Sequence, residues 1–151
     1  MTSLSNDIST LNSLIATTID SVDGYRAAAE DSDGRFAGLF TDCAAERERA
    51  CRSLQAEVSR LGGDPEDDGT VLAAAHRAFM GLKDAVTGRD EQAIVNEVER
   101  GEDHIKEKFE SALNDNNVSL PTRAVIAEAY GSVRAGHDRM RDLKHSLQAA
   151  H

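Results

Sequence analysis

Leu4, Ile8, Leu11, Ile15, Thr18, Val22, Tyr25 and Ala29 follow one another at steps of four and three residues. On an α-helix that spacing stacks all eight on one face, and a rod of this length cannot cover its own apolar stripe. Only other helices of comparable length can bury it. The chain supplies them. Phe36, Leu39, Cys43, Ala50, Leu54, Val58 and Leu61 predict a second helix from about Arg35, stopped by Gly62 and Gly63. Val98, Ile105, Phe109 and Ala112 predict a third from about Asp90 to Asn114. Ile126, Tyr130, Val133, Met140 and Leu147 predict a fourth, opening at Ser119, Leu120 and Pro121.

The connections set the topology. Asp31 to Gly34 and Asn114 to Asn117 are short polar turns. Between the second and third helices lies a longer stretch, in which Thr70 caps a short helix to about Thr87 with Leu72, Phe79, Leu82 and Val86 on its apolar face. Two tight hairpins joined by such a segment predict an all-α four-helix bundle with one long crossover that contains a short fifth helix. The crossover can carry the third helix back to the end where the first turn lies. At 151 residues the chain suits a single domain over 1–151.

Composition narrows the function. A net charge of −10 with no basic cluster argues against nucleic acid and against an anionic membrane surface as partners. The N-terminal MTSLSNDIST has neither a basic start nor an apolar run, and no segment is apolar enough to span a bilayer, so the expected location is the cytoplasm. Cys43 and Cys51, eight residues apart on one helix, are held about 12 Å apart, beyond disulfide reach. They read as two small buried or half-buried thiols. No nucleophile–base triad or phosphate loop is visible.

Polar residues interrupt the stripes. Glu102 lies four after Val98 and three before Ile105; Glu46 lies three after Cys43 and four before Ala50; His137 lies four after Val133 and three before Met140. At about 1.5 Å per residue all three fall near mid-height of rods roughly 40 Å long. Asp20 reaches the same level on the first helix, with Asp23 one turn away. Carboxylates that converge in a dry bundle must be protonated, paired with cations or bound to metal. Gly101 beside Glu102 is an unfavourable helix residue whose use would be close approach by a neighbour. A shift of one residue in phase would turn Asp103, His104 and Asp138 inward instead.

The segments "LGGDPEDDGT", "ERGED" and "HDRMR", within a pattern covering almost the whole chain, resemble the small bacterial ferritin-like four-helix-bundle proteins of unknown function. The resemblance implies the ferritin-like fold with its crossover. It brings no established activity. The wider superfamily holds two metal ions between a carboxylate on the first helix, Glu-x-x-His on the second, one or two carboxylates on the third and Glu-x-x-His on the fourth. Here that pattern falls on Asp20 or Asp23, Glu46, Glu99 with Glu102, and His137, but Arg49 stands where the second helix should carry His and Arg134 where the fourth should carry Glu.

Arginine cannot ligate a metal and stays charged. The resemblance thus implies one of two proteins. The first is a non-enzymatic, self-associating interaction or stress-associated module, without a cofactor, whose centre is a charged network of Asp20, Asp23, Glu46, Arg49, Glu102, Arg134 and His137. The second is a di-metal carboxylate protein holding iron or manganese on Glu46, Glu99, Glu102 and His137, for metal binding or for oxidase or peroxidase chemistry.

Overall fold

The computed structural model describes residues 2–32, 34–68 and 91–149. Four helices account for nearly all of them: α1 (Thr2–Asp31), α2 (Gly34–Arg60), α3 (Glu91–Leu113) and α4 (Leu120–Ala149). No strand occurs among the described residues. The short helix expected over Thr70 to Thr87 lies outside the described residues.

The helices form a ring in which α1 packs on α2 and α3, and α4 packs on α2 and α3. The pairs α1/α4 and α2/α3 therefore face each other across the bundle axis. Two apolar clusters show which ends lie together. Tyr25, Ala28, Phe36, Phe40, Ile94, Val95, Met140 and Leu147 gather the end of α1, the starts of α2 and α3 and the end of α4 at one pole. Leu11, Leu54, Val58, Phe109, Ala112, Val118 and Ile126 gather the opposite ends at the other. All ring neighbours are thus antiparallel. The chain leaves α2 at one pole and enters α3 at the other.

Local chemistry fixes these ends. Gly62 takes φ +85°, a left-handed conformation that side chains resist. Its N–H donates to Ser59 O at 3.0 Å and that of Gly63 to Val58 O at 2.9 Å, the paired bonds that close a helix on glycine. A Cβ on Gly63 would sit 2.9 Å from Ile8 Cγ2 of α1, so the exit from α2 also needs glycine for close approach. The chain beyond is held to α1 and α2. Asn12 Nδ2 donates to Asp64 O, the Glu66 N–H donates to Asn12 Oδ1, and Gln55 Nε2 donates to Glu66 O.

At the same pole, buried Asp7 of α1 ties down the start of α4. Its carboxylate accepts hydrogen bonds from the Ser119 N–H (3.0 Å), Ser119 Oγ (2.6 Å) and Thr122 Oγ1 (3.1 Å). Burial alone would raise the carboxyl pKa, but the bonds from Ser119 and Thr122 outweigh it and hold Asp7 below its usual range. A carboxylate depressed in the folded state stabilises the fold above its unfolded pKa, and that contribution disappears as pH falls through the folded value. Asp7→Ala should therefore cost about 1–3 kcal/mol at neutral pH, because the donors of half-buried Ser119 can turn to water while the hydroxyl of buried Thr122 loses its partner. In urea melts the gap between variant and parent should close below about pH 4.

Both thiols are buried and free. Burial pushes Cys43 up, and pushes Cys51 up to about 11, so neither has thiolate character at neutral pH.

Candidate functional site

Between the two apolar clusters lies a polar layer built from α1, α2 and α3, against which α4 sets a glycine. On α2 the inward seam runs Phe36, Phe40, Cys43, Arg47, Ala50, Leu54 and Val58, all buried. On α3 it runs Val98, Glu102, Ile105 and Phe109. Arg47 and Glu102 thus occupy equivalent seam positions, each four after one core residue and three before the next, on helices that face each other diagonally. They meet across the axis.

The pair is bidentate. Arg47 Nη1 donates to Glu102 Oε1 at 2.8 Å and Nη2 to Glu102 Oε2 at 2.8 Å. Each side chain is only 2% exposed. Ser21 Oγ of α1 accepts a further bond from Arg47 Nη1. The guanidinium carbon lies 5.4 Å from the centroid of the Tyr25 ring, within range of a cation–π contact. Burial works against a charge on Arg47, but the bond to Glu102 outweighs it and keeps the guanidinium more firmly protonated than usual. Burial and the Glu102 carboxylate together push the Tyr25 phenol well above its ordinary range. Its hydroxyl has no hydrogen-bond partner among the described residues.

Gly136 of α4 makes the room. A Cβ there would lie 2.6 Å from Arg47 Nη2, 3.1 Å from Glu102 Oε2 and 3.7 Å from Tyr25 Oη. The glycine that the centre requires is therefore Gly136. Gly101, expected in that part, is exposed with nothing within 4 Å of its notional Cβ, because it points away from the axis.

The residues expected from sequence divide accordingly. Glu102 is at the centre. Glu46 is half-exposed, 3.7 Å from Arg139 Nη2. Arg49 and Arg134 are exposed, so the guanidinium in the core is that of Arg47 instead. Glu99 lies toward the surface with Lys144 Nζ at 2.8 Å. His137 Nε2 lies 2.7 Å from Asp103 Oδ1, joining α3 to α4 near the surface, with Asp138 Oδ1 3.5 Å from its other ring nitrogen. Asp20 and Asp23 are half-buried on α1, outside the Arg47–Glu102 contact. On α2 the expected Phe36, Cys43, Ala50, Leu54 and Val58 are all buried, but the steps between them run four then three, so Phe40 rather than Leu39 and Arg47 rather than Glu46 face the axis.

This donor set does not fit a dinuclear metal centre. Both oxygens of Glu102 are engaged by a permanent cation, and Glu46, Glu99 and His137 are held by other partners. Among the described residues, the one group of three acidic or ligating side chains close enough to share an ion is Glu66, Asp67 and Asp68. It lies on the segment leaving α2, where Asp67 and Asp68 are exposed. No helix is long and apolar enough to cross a membrane among the described residues.

No curated protein matches the chain. Residues 6–115, from the first turns of α1 through the end of α3, match DUF2383, described as a domain of unknown function. The match takes in Ser21, Tyr25, Arg47 and Glu102, leaving Gly136 on the helix beyond it. The chain belongs to the DUF2383 family.

Proposed function

We propose that the chain is a ferritin-like bundle whose centre holds an ion pair in place of metal, and that it acts as a non-enzymatic, self-associating interaction module of the cytoplasm. Two features support the ferritin-like reading: the antiparallel ring, and the exit from α2 at the pole opposite the start of α3. The observation that carries the functional reading is the guanidinium of Arg47 on both oxygens of Glu102. A dication placed there would have to displace a cation that cannot lose its proton, and would meet its repulsion.

Elemental analysis tests the reading. Protein purified from cells supplemented with iron and manganese should carry far less than one metal ion per chain, and Glu102→Ala should leave that content unchanged while lowering stability. Stoichiometric metal that disappears in Glu102→Ala would overturn the proposal in favour of a di-metal carboxylate protein.

A further inference from the structure

The α2–α4 side of the bundle carries an open groove of about 360 Å³. Its floor is Ala50 and Ala129, both buried, and its walls include Ser53 and Ser132. The α2 rim presents Arg49 and the α4 rim presents Glu128, both exposed. None of the ion pairs among the described residues uses either side chain. Glu46, also on the α2 side, is already turned to Arg139. One face therefore holds a cation and an anion on opposite edges of a shallow trough floored by two alanines and walled by serines, neither charge being paired among the described residues.

We propose that this face binds the same face of a second copy of the chain, through a two-fold contact in which Arg49 of each copy meets Glu128 of the other. The proposal rests on the interaction-module reading and deepens it by naming the partner and the surface. A two-fold contact repeats each pairing twice, so a face carrying one charge of each sign on opposite edges is complementary to itself. A uniformly basic or acidic partner would satisfy one rim and repel the other. The groove is open and its floor carries only small side chains, which suits a ridge of another helix better than a small enclosed ligand.

Sedimentation velocity on the full chain tests this. The parent should form a dimer whose strength falls as salt rises. Arg49→Glu and Glu128→Arg should each weaken the dimer by roughly tenfold or more, because each places two like-charge pairs at the contact, with helical circular dichroism unchanged. An equimolar mixture of the two variants should recover dimers, since each altered position then faces its opposite charge. A parent that stays monomeric at all concentrations, a dimer indifferent to both reversals, or a mixture that fails to recover would overturn the proposal. A dimer indifferent to both reversals removes this surface while leaving the module reading in place. Metal lost in Glu102→Ala removes the module reading without touching the sedimentation result.

Discussion

Glu102→Ala should lower the free energy of unfolding by about 3–5 kcal/mol, measured by urea denaturation at neutral pH. The loss exceeds that of a missing contact because Arg47, with a side chain only 2% exposed, is left charged in the core with Ser21 as its remaining hydrogen-bond partner. Arg47→Ala should cost a similar amount for the converse reason. Replacing both at once, as Arg47→Met with Glu102→Leu, should restore most of the loss and can exceed the parent, since an apolar pair of similar volume carries no desolvation penalty. The double variant thus separates the net worth of the pair from the penalty of breaking it. If the single and double variants lose equal stability, the buried pair is not the source of the effect.

Gly136→Ala should destabilise the fold by about 1–3 kcal/mol net, even though alanine favours helix over glycine. The added Cβ would fall 2.6 Å from Arg47 Nη2, too close for any real contact. Arginine tips usually move aside at little cost. This one is fixed by two bonds to Glu102 and one to Ser21, so moving it breaks the bidentate geometry. Gly101→Ala provides the control, because that exposed helical position has open space and should gain about 0.5–1 kcal/mol. Opposite signs in thermal melts of the two variants would confirm which glycine the centre requires. Equal signs would contradict it.

Much of this architecture is legible in the sequence, because heptad-like spacing, glycine stops and polar turns are local signals. The seams on α3 and α4, that on α1 from Leu11 to Tyr25, the Gly62–Gly63 stop and the Asn114–Asn117 turn coincide with the structure, whereas Leu4, at the start of the expected α1 seam, is exposed. The inward position of Glu102 is legible too, since Val98 and Ile105 bracket it on one face. Arg47 is harder to see. A seam through Leu39 and one through Phe40 are both apolar, and the second demands an arginine in the core, which burial statistics disfavour. The signal that resolves it is relational: an acid on one helix and a base on another, each spaced four and three from core residues, at the same height. Gly136 is harder still, because its reason is the guanidinium volume opposite, a three-dimensional fact with no trace in local spacing. The Asp7–Ser119–Thr122 contact joins residues more than a hundred positions apart and is equally hidden.

The Arg47–Glu102 layer also acts as an alignment pin. Greasy helix faces of alanine, leucine and valine tolerate sliding, since one turn of displacement, about 5.4 Å, presents a similar surface to the neighbour. Here the same slip would drag a charge off its counterion and into one of the two apolar compartments. The diagonal placement links α2 to α3, the two rods that share little other contact. A single latch between them therefore sets the height of both hairpins at once.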